Sequence, residues 1–371
     1  MSKRLTLALA AAAMIGGGPA IATDFTYSSW TPPAAPNNRL GTVPMFERIT
    51  EELAGTEDAI TFQNFMGGQL FNNATTLPAI RDGIVDGGVL VPAYNSAELK
   101  THVTLGETQA LVNDGLSGAA AATETLLMNC PGCLSEYAAQ NAIPMGSYAS
   151  TPYYLMCNFE VTGIDALRGK RSAEGNPMFN RWAQRMGMSR QSLSPPDFQQ
   201  ALQRGTVDCV FAPKDWLVAY SLSDVVVSIV DDTSHGAFSA VVLMAMNQDT
   251  WGALSEPQRE AFRKEMPKAI MDVTNGYYVD EARGMAAAEE EGIILVNLGE
   301  EYAQAWSDFQ QSERAEIIQA ANARGVENAE ALVNDFTALL AEWEAIADEL
   351  DHDPEAIAER MYERIFSKAS F

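Results

Sequence analysis

Leu167-Arg-Gly-Lys-Arg171, the polar loop Ser172-Ala-Glu-Gly-Asn176, a helical run at 177–187, Pro195-Pro-Asp-Phe-Gln-Gln-Ala-Leu202 and Gly205-Thr-Val-Asp-Cys209 make one continuous unit of the chain. It reads as a short strand, a loop, two helical pieces and a second strand, the alternation of an α/β lobe. Arg171 is expected at the end of the first of these strands, just before the polar loop. There an arginine aims a planar, permanently charged fork at a carboxylate or sulfonate, which lysine does less specifically. Alone, such an arginine is more often a surface charge. Its neighbours decide the reading.

Those neighbours follow a family pattern. Leu-Arg-Gly-Lys-Arg171, a helix ending in Met186-Gly187, then Asp197-Phe-Gln-Gln-Ala-Leu-Gln-Arg-Gly205-Thr-Val-Asp208 resemble the solute-binding proteins of TRAP (tripartite ATP-independent periplasmic) transporters, dicarboxylate-binding type. Gly67-Gly-Gln-Leu70, Arg81-Asp-Gly-Ile-Val-Asp86 and Asn247-Gln-Asp-Thr-Trp251-Gly-Ala-Leu254 resemble further motifs of that family in the expected order. The likeness covers roughly residues 24–300. It implies a two-domain periplasmic-binding-protein clamp of α/β class, with crossing strands and a long domain-spanning helix. It also implies a small organic anion as ligand, membrane subunits of a TRAP transporter as partner, and no cofactor.

At the amino end, Lys3 and Arg4 precede an apolar run and Ala20-Ile-Ala22 supplies small residues for cleavage. That is the pattern of a secretory signal peptide over 1–22, and it predicts export to the periplasm. The run is too short to span a bilayer, so direct membrane insertion is not expected. The formal charge is −25, and without Lys3 and Arg4 it is −27. So acidic a surface repels nucleic acid and anionic lipid, while screening over about 8–10 Å still permits a local anion site.

Cys130, Cys133, Cys157 and Cys209 are an even set in an exported chain, which suggests disulfides. Cys130-Pro-Gly-Cys133 also has thiol-disulfide oxidoreductase spacing. It follows an alanine-rich helical run rather than the early strand of a compact βαβ unit, so a structural clamp is preferred. Zinc lacks a second Cys-x-x-Cys or a histidine pair. The family fold implies that Cys157 and Cys209 lie close together, leaving Cys130 and Cys133 as the other pair.

Along the chain, strands are expected at 25–30, 59–65, 88–92, 153–157, around Arg171, and at 207–211, 225–230, 240–246 and 293–298. Ser255 and Pro257 open a long helix at 257–291, kinked at Pro267 and bent at Gly276. Helices at 300–323, 329–350 and 354–368 follow, packing across the back of both domains. The expected division is 23–146 for domain I, 147–234 for domain II, 235–256 for the return to domain I, and 292–371 for the C-terminal strand and helices.

By resemblance, Arg171 holds the anion and Asn176 supplies a polar contact in its loop. Ser172-Ala-Glu replaces the usual valine-proline beside the arginine. Where sialic-acid-type members carry a second arginine, this chain has Tyr153, and where they carry an asparagine it has Ala212. That combination implies a monoanion, carboxylate or sulfonate, with Phe211 and Trp216 as apolar walls. Asp197 is either an acidic site residue or a helix cap. His235 matches a pocket-side histidine. Gln69, Trp30, Tyr27 and Tyr94 sit at strand ends or loops facing the cleft. The competing enzyme readings are a hydrolase, for which no nucleophile elbow or phosphate loop is present, and an oxidoreductase using Cys130 and Cys133.

Overall fold

The apolar run Val241–Asn247 becomes a strand because all seven of its residues are buried, with packing on both faces of a sheet. The computed structural model describes residues 23–371, so the expected signal segment at 1–22 lies outside the described residues. In chain order the strands are β1 Thr23–Ser28, β2 Ile60–Phe65, β3 Gly87–Leu90, β4 Ala142–Pro144, β5 Ser147–Tyr148, β6 Tyr154–Cys157, β7 Arg171–Glu174, β8 Ser189–Ser192, β9 Cys209–Ala212, β10 Ser228–Val230, β11 Val241–Asn247 and β12 Ile294–Val296.

They form two sheets, one per lobe. The first runs β2-β1-β3-β11-β4, with β5 also on β11, and the second runs β12-β10-β6-β9-β7-β8. Each has a parallel part, β2-β1-β3 and β8-β7-β9. The strands that cross between lobes enter antiparallel: β11 against β3 and β4, and β6 against β9 and β10. Both sheets are therefore mixed rather than wholly parallel.

The chain leaves the first sheet after β5 and returns from β10 to β11, and a bridge between Pro152 and Ala237 ties the two crossings. Ser147–Tyr148 still pairs with β11, so the first crossing comes a few residues after position 146. The third connection is the helix Glu256–Glu290, started by a capping box between Ser255 and Gln258. At 1.5 Å per residue it is about 50 Å long. It packs on the first-lobe helices Val43–Glu52 and Gly115–Glu124 and on the second-lobe helix Trp216–Ala219. Gly284 makes the last contact possible, because any Cβ there would meet the Lys214 carbonyl.

The helix Glu300–Ala323 sets Tyr302, Trp306 and Phe309 around Trp182 in the second lobe, with ring centres 5.0–5.5 Å apart. Its neighbour Ala329–Glu349 packs on Gly115–Glu124 of the first, where Trp343 Nε1 donates to Glu124 at 2.8 Å. The C-terminal helices thus fasten both lobes from behind. Among the described residues no helix is long and apolar enough to cross a membrane.

Candidate functional site

Ligands of open α/β sheets bind beyond the carboxyl ends of the parallel strands. Here those ends face each other across the lobes and enclose a cavity of about 60 Å³. Trp30 and Thr31 follow β1, Val91 and Tyr94 follow β3, and Gly175, Asn176 and Phe179 follow β7. Phe211 lies in β9, Trp216 and Tyr220 lie just after it, and Tyr277 reaches in from the long helix. Eleven of the nineteen lining residues are aromatic.

The rings form a continuous wall. Phe179 stacks on Phe211 at 4.4 Å and on Tyr153 at 5.4 Å. Trp216 meets Tyr153 at 5.6 Å and Tyr220 at 4.8 Å. From the first lobe Trp30 and Tyr94 meet edge to face at 6.2 Å. Tyr94 crosses to the second lobe because residue 175 is glycine, where a methyl group would overlap its hydroxyl.

The amide side chains of the wall are occupied. Asn176 Nδ2 donates to the Gly106 carbonyl and to Gln109 Oε1, both at 2.8 Å, and its Oδ1 caps the helix Pro177–Arg185 through the Met178 N–H. Gln109 Nε2 donates to the Gly236 carbonyl at 3.0 Å. The Tyr153 hydroxyl lies beside Ser150, and the Tyr148 hydroxyl beside that of Tyr277. Burial pushes the phenols of Tyr94, Tyr148, Tyr153, Tyr220 and Tyr277 up, so all are neutral donors. Asp215, buried just before Trp216, has its carboxyl pushed well above the usual range by desolvation and by the charges of Asp280 and Glu281.

Of the residues singled out from sequence, Trp30, Tyr94, Tyr153, Asn176, Phe211 and Trp216 line this cavity. Arg171 does not. It opens β7 instead of closing a strand, because the strand continues through Ser172 and Ala173, paired to Cys209 and Val210 of β9. Its fork is taken by Asp208, with Nε and Nη2 at 3.0 and 2.9 Å from the two carboxylate oxygens. Among the described residues no lysine or arginine lines the cavity.

His235 is fully buried behind the wall, its Nε2 2.9 Å from the Tyr302 hydroxyl and its ring edge-on to Phe211 and Trp306. Burial lowers its pKa to about 3, so it is neutral. Gln69 is exposed on the turn after β2. Tyr27 is core, donating to the Leu243 carbonyl at 2.7 Å. Asp197 precedes the helix Phe198–Gln203 without a side-chain capping bond. Phe179, Phe198, Phe238, Tyr148 and Tyr277 went unnoticed in the sequence, where an aromatic at helix or strand spacing reads as ordinary core.

The cysteines form Cys130–Cys133 and Cys157–Cys209. The first closes the start of the helix Pro131–Ala139 and is buried. The second joins residues directly opposite each other on β6 and β9. Among the described residues no three His, Cys, Asp or Glu side chains are grouped to hold a metal ion.

The fold is that of solved solute-binding proteins. A marine metagenome TRAP solute-binding protein specific for aromatic acid ligands, from an unidentified microbe and bound to metahydroxyphenylacetate, superposes with a TM-score of 0.76 at 18% identity, over 86% of this chain and 99% of that one. A TRAP solute-binding protein from Rhodoferax ferrireducens with copurified benzoate gives 0.77 at 15% identity, over 88% and 99%. One from Bordetella bronchiseptica with bound (R)- and (S)-mandelate gives 0.71 at 20% identity, over 86% and 99%. No curated protein sequence matches the chain. A family model, "Bacterial extracellular solute-binding protein, family 7", matches residues 34–320. With most of its length inside that match, the chain belongs to family 7 of the bacterial extracellular solute-binding proteins, the non-enzymatic solute receptors of TRAP transporters.

Proposed function

We propose that this protein is the periplasmic receptor of a TRAP transporter, capturing a small organic acid with a flat aromatic or compact apolar body and delivering it to the membrane subunits. The observation that carries this is the aromatic wall, built from both lobes around one cavity. Aromatic rings favour offset or edge contact with another ring, each worth about 0.5–1.5 kcal/mol beyond the area buried. Three structural relatives hold metahydroxyphenylacetate, benzoate and mandelate, all aromatic acids, which supports the same ligand class here. Arg171, occupied by Asp208 and outside the cavity, is a strut of its sheet in this reading and not the anion's anchor. The cavity is enclosed by both lobes, so ligand entry requires them to part, as in other hinged receptors.

A thermal-shift screen of benzoate, 3-hydroxyphenylacetate, mandelate and galacturonate tests the assignment. A ligand at a hundred times its Kd stabilises the folded state by about 2.7 kcal/mol. The aromatic acids are expected to raise Tm and galacturonate to leave it in place. No shift with any aromatic acid overturns the reading.

A further inference from the structure

Two donors of the cavity wall have no polar side-chain partner among the described residues. Trp30 Nε1, from the first lobe, is buried and makes no hydrogen bond. The Tyr220 hydroxyl, from the second lobe, likewise has no side-chain partner among the described residues. The other donors have polar neighbours: Gln109 donates to the Gly236 carbonyl, the Tyr94 hydroxyl lies beside Ser194 and Asn73, and the Tyr153 hydroxyl lies beside Ser150. A buried donor left unpaired costs about 1–3 kcal/mol, a cost that a ligand removes by bringing an acceptor to it.

The surroundings disfavour a full negative charge on that acceptor. The ionisable side chains acting on Tyr148, Tyr153, Tyr220 and Tyr277 are neighbouring tyrosines and Asp215, all of them acids. Asp215 is buried, and neither of its carboxyl oxygens has a well-aligned hydrogen-bond partner. With no lysine or arginine among the described lining residues, an ionised ligand group has no counterion there. Burying an unpaired charge is far more costly than burying a hydrogen-bonded neutral group.

Resting on the function argued above, we propose that Trp30 and Tyr220 fix the polar end of the ligand through neutral donors, one from each lobe. The site then selects an aromatic body carrying a hydrogen-bond acceptor and gives little weight to that acceptor's charge. Each lobe holds half of the donor pair, so the pair is complete only when the lobes meet.

Calorimetric titration with matched pairs tests this: benzoate against benzamide, 3-hydroxybenzoate against 3-hydroxybenzamide, mandelate against mandelamide. Acid and amide of a pair are expected to bind within about tenfold of each other, and Trp30→Phe and Tyr220→Phe to weaken both by about five- to tenfold each, the loss of one neutral hydrogen bond. Tyr220→Phe removes a single oxygen and keeps the ring, so a folding defect in the tryptophan variant leaves the test intact. An acid preferred over its amide by about thirtyfold or more, the signature of a charged anchor, overturns the neutral-donor assignment and leaves the organic-acid function standing. Wild-type affinity in both variants also overturns it. If no member of any pair binds the wild-type protein, the functional reading fails and this assignment with it.

Discussion

Arg171 and Asp208 close on each other through three hydrogen bonds: Arg171 Nε and Nη2 donate at 3.0 and 2.9 Å, and the Arg171 backbone N–H donates at 2.7 Å. The bidentate fork and the backbone bond hold the Asp208 carboxyl below the usual carboxylate range. The pair sits at the start of β7, while the cavity lies beyond its other end at Gly175. At ~3.3 Å per residue the separation is about 13 Å.

Arg171→Ala is therefore expected to change ligand affinity by less than about threefold, where losing a charge-paired anchor at 2–5 kcal/mol would cost ~30-fold or more. Its effect should appear in Tm, through the freed Asp208. Calorimetry with a ligand from the screen decides between the two roles, and a thirtyfold loss of affinity restores Arg171 to the site.

Phe211→Ala removes the ring stacked on Phe179 at 4.4 Å. A buried phenylalanine truncated to alanine costs about 3–5 kcal/mol of stability. Affinity for an aromatic acid should fall by about tenfold, the equivalent of one lost ring contact at ~1.4 kcal/mol. Urea unfolding and calorimetry measure the two losses separately.

The buried histidines predict acid sensitivity. Burial lowers both His102 and His235 to about 3 from 6.5, so the unfolded chain binds two protons that the folded chain refuses between those values. Stability must then fall as pH drops from about 6.5 toward 3, by up to ~1.4 kcal/mol per pH unit for each histidine. His235→Gln should reduce the slope of unfolding free energy against pH by about that amount. An unchanged slope means that His235 is protonated in the folded protein.

Arg181 reaches from the second lobe to two fully buried carboxylates, Glu107 at 2.8 Å and Glu313 at 2.9 Å. Glu107 also meets Arg324 at 2.5 Å. Removing the central cation strands Glu313 and leaves Glu107 with Arg324 alone, and breaking such a buried pair costs about 3–5 kcal/mol. Arg181→Met should lose that much in denaturant unfolding without abolishing ligand binding.

Opening the cavity is expected to separate Asn73 of the first lobe from Ser194 of the second, now 3.0 Å apart. Small-angle scattering should show a smaller radius of gyration with ligand than without. Equal radii at saturation count against hinged capture.

Sheet positions were readable where apolar and polar residues alternate or run long: the strand expected at 59–65 is Ile60–Phe65, and the one at 240–246 is Val241–Asn247. Arg171 was misplaced within its strand because Ser172-Ala173-Glu174 has loop composition. It pairs as a strand only because β9 and β8 flank it on both sides, a tertiary effect with no local signature. The cavity rings were only half legible for a similar reason. Phe211 and Trp216 stand beside a recognisable motif, whereas Phe179 lies on a helix face that also carries the core residues Met178 and Trp182. Whether a buried ring meets another side chain or a cavity depends on the opposing lobe, which lies far away in sequence.

The Cys157–Cys209 bond has a further consequence for how the protein breaks. The two half-cystines are 52 residues apart in sequence, so β7, β8 and the helix Pro177–Arg185 form a covalently closed ring hung from the adjacent strands β6 and β9. The edge Ser189–Ser192, exposed along its whole length, is an accessible place to cut that ring. A single nick there opens the circle and releases nothing. Without reductant the severed protein migrates as one chain, and with it as two. Aromatic walls on both sides of the cut stay joined, so a damaged receptor keeps its solute site in one piece.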